Sequence, residues 1–334
     1  MNFMKMKKYT PAKFSKHIYS AVLLFAHFIL FAGPAISQQK DSILTGRKWP
    51  TSGIYQHDFL YAGEWQGCSF KDQKMFLVKQ GKVVWEYSMP EDGEYGDIAL
   101  LPNGNILFSR KTGASEITMD KKIVWNYEAE NKSEIHVCQP VGPDKVFIVI
   151  NAVPAKAIIL NKITGKVEKE MIIPTGGTNP HVMFRRCRYT AAGTFLVGHL
   201  DMNKVSEYDS TGKEIWSVPA PSVWSVSRLE NGNTLVGGNQ HCYVREFNKT
   251  GTVVWELTQK DVPEIKLFNI QEVVRLKNGN TVISNWCAGT LKNKEDQQET
   301  VQFFEVTQDK KIVWILSSWN HPDLGPASAI QILE

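Results

Sequence analysis

The chain has 334 residues, with 38 basic and 34 acidic side chains, 43% hydrophobic residues and five cysteines. Five of the 38 basic residues, Lys5, Lys7, Lys8, Lys13 and Lys16, precede the apolar run Ile18–Ala32, and without them 33 basic residues face 34 acidic ones. So neutral a remainder gives no electrostatic support to a nucleic-acid partner, and five widely spaced cysteines are neither a disulfide framework nor a zinc pattern.

The basic cluster, the apolar run and the small residues at Ala35-Ile36-Ser37 read as a signal peptide over residues 1–37. The run is short for a membrane span and is interrupted by His27. The expectation is an exported, periplasmic or extracellular protein with no stable membrane anchor after cleavage. One domain is expected over residues 38–334.

After the leader, short strands follow one another. The N-terminal part supplies Phe59–Gly63, Met75–Val78 and Val83–Tyr87, the last closing on GKVVW at Trp85. The same phrase returns as KKIVW at Trp125, GKEIW at Trp216, GTVVW at Trp255 and KKIVW at Trp314, mostly at intervals of about 40 residues. A sixth copy, Gly165–Lys169, keeps the turn and loses the Trp.

A second phrase, an alternating strand running into Asn-Gly-Asn, occurs before Asn103–Asn105, Asn231–Asn233 and Asn278–Asn280. Looser copies are His136–Val141 and Arg185–Thr190, and the chain ends on Ser328–Leu333. Val223–Leu257 shows the whole unit, four antiparallel strands in about 35 residues, the size of one propeller blade.

The last strand has no blade of its own, and the N-terminal part lacks a first strand. Together they make one blade. The predicted fold is therefore an all-β, six-bladed β-propeller closed by the C-terminal strand, with a seventh blade only if Arg47–His57 holds further strands. The polar stretch Thr290–Glu299 reads as a loop insertion. One first-strand column, Ile98, Cys138, Cys187, Val226, Val273 and Ile330, reads as core.

The Asn-Gly turns leave little room for a site at their end of the ring. The other rim gathers His136, His181, His199, His241 and His321, with Trp65, Trp224, Trp286 and Trp319. A pore column reads Gly96, His136, Arg185, Trp224, Gln271, Ser328, too varied for simple packing. Alternation allows only one of Arg185 and Arg186 to face the pore.

His136, His181 and Arg185 are the candidate catalytic residues: an imidazole takes a proton and a guanidinium steadies a developing anion. Arg186, His199, Trp224, His241, Gln271, Trp286 and His321 are candidate substrate-binding residues. Indole faces beside Arg, Asn and His suit a glycan or a small aromatic glycoside or sulfate. Rim carboxylates Glu64, Glu94, Asp97, Asp201 and Glu272 are available, with no pairing legible. The histidines lack metal-ligand spacing, so no metal is expected, while a cation in the central channel is left open.

The Asn-Gly-Asn turns and GKxxW-like phrases resemble the β-propellers of quinoprotein dehydrogenases and arylsulfotransferases. The first resemblance implies an eight-bladed ring and an adjacent Cys-Cys pair facing the quinone cofactor PQQ. This chain has neither, so PQQ is not expected and no other cofactor is implied. The second implies six blades and sulfuryl transfer through a rim His, although Gly96-Asp97 stands where those strands often carry His-Asp. The chain also resembles exported propellers found beside polysaccharide-degrading enzymes of gut-type bacteria. These readings leave a lyase or glycosidase, an arylsulfotransferase-like enzyme, and a non-catalytic binding or scaffold propeller, each acting as a monomer.

Overall fold

The computed structural model describes residues 49, 51–64, 72–90, 93–130 and 132–334. The expected leader, Trp65 and Cys68 lie outside them. Six four-stranded antiparallel sheets form the blades. Blades 2 to 5 are built in chain order, with inner strands Tyr95–Leu100, Glu134–Val141, Phe184–Tyr189 and Val223–Arg228. Blade 6 starts from Val273–Arg275. Blade 1 takes its inner strand, Ala327–Ile332, from the C-terminus, pairing Phe59 with Ile332 and Ala62 with Ala329. Each inner or second strand contacts the next blade around the ring, so the predicted six-bladed propeller and its closure are what the chain forms.

Each blade buries both sheet faces against its neighbours, which is why the inner and middle strands read as nearly continuous apolar runs. No seventh blade is present among the described residues. Instead, Ser52 bridges Ile315 in parallel, so the N-terminal arm lies along the outer edge of blade 6. The Thr290–Glu299 insertion is not wholly loop: Lys294–Gln298 forms a short helix capped by Asn293.

The repeated phrases are joined by a carboxylate that the sequence pattern does not advertise. In the third strand, opposite the outer-strand Trp, sit Glu116, Glu207, Glu246 and Glu305, paired with Trp125, Trp216, Trp255 and Trp314. Each receives side-chain bonds from its own blade's inner hairpin, as Asn231 and Asn233 do to Glu246. Each also takes a cationic or imidazole partner from the next blade: Lys162, Arg228, Arg275 and His57 respectively. Arg228 and Arg275 lie over the Trp216 and Trp255 rings, and His57 meets Trp314 edge-on.

A buried ion pair is costly to break because it leaves a desolvated charge behind. Glu246→Ala, which removes the carboxylate that pairs Arg275 and accepts from two asparagines, is expected to lower stability by about 3 kcal/mol. Glu256→Ala, which removes the exposed partner of Arg245, is expected to cost less than about 1 kcal/mol. Urea unfolding of the two variants, at unchanged dependence on denaturant, checks this difference.

Candidate functional site

At the start of the inner strands the pairing register slips. Blades 1 to 5 each carry one extra residue there, within Ala327–Ala329, Tyr95–Ile98, Ile135–Val137, Phe184–Cys187 and Val223–Ser225. A bulge leaves its extra residue unpaired and re-aims the side chain. The residues so placed include Gly96, His136, Arg185, Trp224 and Ser328. Gly96 has to be glycine: a Cβ there would come within 2.2 Å of the His136 carbonyl oxygen.

The bulge corrects the expectation that only one of Arg185 and Arg186 faces inward. Both do, because the slip breaks the alternation. Arg186 crosses the axis, its Nε 3.1 Å from Glu272 of blade 6 and 3.2 Å from Asp97 of blade 2. It is 2% exposed and plugs the channel, so it is not placed to meet a ligand at the rim. Asp97 also holds Arg188 with two bonds of 2.9 and 3.0 Å, which gives it a structural task.

Arg185 points to the rim. Its guanidinium bonds Glu94, reaches His136 Nδ1 at 3.3 Å and His181 Nε2 at 2.7 Å, and lies 4.4 Å from the ring centre of Trp224. The far nitrogens of both imidazoles meet one carboxylate oxygen, Glu134 Oε2, at 2.9 Å from His136 Nε2 and 3.0 Å from His181 Nδ1. Lys111 faces the other Glu134 oxygen at 3.5 Å. His181 sits on a single 3-10 turn, Pro180–Val182, anchored by Asn179 at its start and by buried Asn151, which bonds the carbonyls of Pro180 and Phe184.

These contacts fix the protons. A guanidinium only donates and an ionised carboxylate only accepts. Each ring therefore presents a bare nitrogen to Arg185 and an N–H to Glu134, and both rings are neutral. Burial and the Arg185 charge push the His136 pKa down, against the pull of Glu134 and Glu94. Burial pushes Glu134 up, but the hydrogen bonds from the two histidines outweigh it and hold the carboxyl below its ordinary range.

The Glu134, His136 and His181 ligand atoms lie within 4.8 Å of one another, close enough to share a metal ion. Coordination through those atoms would move both ring protons onto the nitrogens facing Arg185, setting donor against donor. The donor set fits proton exchange better than metal binding.

The remaining expected ligand contacts lie elsewhere. His199 is buried beside Phe184 and bonded to Tyr208, and burial followed by Lys204 pushes its pKa down to about 3. His241 and His321 are exposed on separate loops, outside the cluster. Trp286 and Trp319 are 8% and 4% exposed, and their indole N–H groups bond the carbonyls of Glu64 and Thr300. They pack the fold, so Trp224 is the partly exposed indole beside the cluster.

Of the five rim carboxylates, Glu64 and Glu94 are neighbours of Arg185. Burial and the Glu94 charge push the Glu64 pKa up to about 8, with Arg185, Gln271 and Ser328 opposing. Burial also raises Glu94, but the charge and hydrogen bond of Arg185 lower it more, and the net shift is downward.

The Asn-Gly end is roomier than expected. A cavity of about 880 Å³ opens there, floored by Asp97, Arg188 and Glu272 and walled by Ala99, Val274 and Ile332. Its floor charges are already paired, Asp97 with Arg188 and Glu272 with Arg186, whereas the opposite rim holds the imidazoles.

No protein-family model matches the chain, and no curated protein sequence matches it. A crystal structure of a protein of unknown function from Bacteroides caccae is similar over 83% of this chain and 100% of its own, with 25% identity and a TM-score of 0.70. A streptogramin B lyase structure is similar over 79% of this chain and 85% of its own, at 11% identity and a TM-score of 0.53. Virginiamycin B lyase from Staphylococcus aureus aligns over 66% and 69%, at 15% identity and a TM-score of 0.48. The likeness to the streptogramin B lyase structure is one of propeller fold alone.

Because Glu64 keeps its proton in the folded chain up to about pH 8, while its ordinary value is 4.5, the unfolded chain loses that proton first. Folding stability therefore falls as pH rises from 4.5 through 8. Glu64→Gln is expected to melt higher than the parent at pH 8 and alike at pH 4.5. Thermal melting in chelated buffer at the two pH values checks it.

Proposed function

We propose that this chain is an exported propeller enzyme that cleaves a carboxylate-bearing glycan or glycoside by elimination. The observation that carries this reading is the Glu134–His181–Arg185 arrangement on the rim. His181, with its side chain 34% exposed, is the accessible imidazole. Its Nδ1–H is held by Glu134, which directs the basic Nε2 toward Arg185. A carboxylate that fixes one tautomer in this way prepares the other nitrogen as a base.

In the proposed reaction a substrate carboxylate takes over the Arg185 bond now made to His181 Nε2. The freed nitrogen removes the proton from the carbon beside that carboxylate, and Arg185 steadies the charge that develops. The electron pair forms a carbon–carbon double bond as the bond to the neighbouring glycosidic oxygen breaks. The imidazolium returns its proton to the departing oxygen. Trp224 keeps the guanidinium plane in place by stacking.

Mass spectrometry of the protein incubated with uronate-containing oligosaccharides and with aryl sulfates tests the reading. The expected product is unsaturated and lighter by one water than a hydrolysis product. His181→Ala is expected to lower turnover by about 10²–10⁴-fold, and Glu134→Gln to lower kcat with little change in KM. A sulfated phenol would instead assign His181 Nε2 as a nucleophile in sulfuryl transfer. Saturable binding without any new mass would make the chain a binding propeller.

A further inference from the structure

Close to the axis, on the rim side of the Arg186 plug, four oxygen-bearing side chains converge. Glu64 follows the second strand of blade 1, Glu94 precedes the inner strand of blade 2, Gln271 precedes that of blade 6, and Ser328 occupies the bulge of blade 1. Their exposures are 3%, 5%, 0% and 2%. Ser328 Oγ approaches Glu64 Oε2 at 3.4 Å, and Glu94 Oε1 accepts from Arg185. The second oxygen of each carboxylate accepts no hydrogen bond among the described residues.

Gln271 is the anomaly. It is fully buried, yet neither its amide oxygen nor its amide nitrogen has a hydrogen-bond partner. The amide leans toward Glu64, lowering its proton affinity, without reaching hydrogen-bond geometry. Nearly all buried polar groups in folded proteins are paired, so a doubly orphaned amide beside the Glu64 carboxylate signals a missing partner.

We infer that Glu64, Glu94, Gln271 and Ser328 form a binding site on the propeller axis for a hard cation such as Ca²⁺. The ligands are all oxygens, two from carboxylates, one from an amide and one from a hydroxyl, which is the set hard cations take. The site lacks the objection that applies to the histidine cluster, since no ring proton must move against Arg185. Arg185 cancels part of the Glu94 charge, leaving Glu64 as the carboxylate that a cation neutralises. In the absence of a cation a proton does this, so binding and protonation of Glu64 compete. The inference is independent of any chemistry at His181.

Calorimetric titration and thermal melting of the whole protein with CaCl₂, after chelation, test it. At pH 8, one Ca²⁺ per chain is expected to bind with proton release, and saturating Ca²⁺ to raise the melting temperature by about 3–8 °C. At pH 5 the rise is expected to shrink. Glu64→Gln and Gln271→Leu, each confirmed as folded by its own melt, are expected to lose the response. His181→Ala keeps it even where turnover is lost. Absence of a Ca²⁺ response in the parent at pH 8 would overturn the assignment, as would a response that survives Glu64→Gln or disappears in His181→Ala.

Discussion

One extra residue at the start of an inner strand organises the centre of this molecule. Regular pleated strands would present every second side chain to the axis and nothing more. The bulges break that rhythm in five blades and push Gly96, His136, Arg185, Trp224 and Ser328 out of the ladder. Polar side chains moved inward then need partners, and the nearest ones belong to other blades. Arg186 finds them across the axis in Asp97 and Glu272, while Arg185 finds them in Glu94, His136 and His181. Tertiary contacts and the rim cluster thus share one backbone irregularity.

Away from the axis a different device holds neighbouring blades together. A third-strand Glu gathers the hairpin asparagines of its own blade and a basic side chain from the next. That explains why Asn-Gly-Asn recurs when other turn residues could serve the hairpin. The flanking asparagines aim at a carboxylate, and the carboxylate aims at the next repeat. Blades 1 and 3 carry Leu77 and Ile159 at the matching position, and there the seams rely on apolar packing.

The fold was legible because its signals are local. Asn231-Gly232 and the Trp255 phrase each specify a turn or a strand within a few residues, and the period sets the ring. Closure by Ser328–Leu333 was legible because an unmatched strand at each end admits one economical solution. The site was legible only as a column of unusual residues. Alternation misassigned Arg186, since a bulge has no sequence signature as plain as Asn-Gly. The burial of His199, Trp286 and Trp319 was not legible, because the sequence does not show which rim side chains pack inward: His199 ends a strand and bonds Tyr208, while the two indoles fold back from connecting segments onto backbone carbonyls. Glu134 was overlooked entirely. Its sole hint was standing two residues before His136 on a strand, where both side chains share a face.

The closure of blade 1 has a consequence for the order of events during folding. Phe59 and Ile332 are paired across adjacent strands although nearly the whole domain separates them in sequence. Until the final residues are available, Phe59–Ala62, all fully buried in the finished ring, lie along an open strand edge. Contacts so distant in sequence form late and slowly, because a long loop must be closed first. An incomplete chain is therefore a sticky chain, and the last strand acts as a clasp that converts an aggregation-prone arc into a ring without that edge.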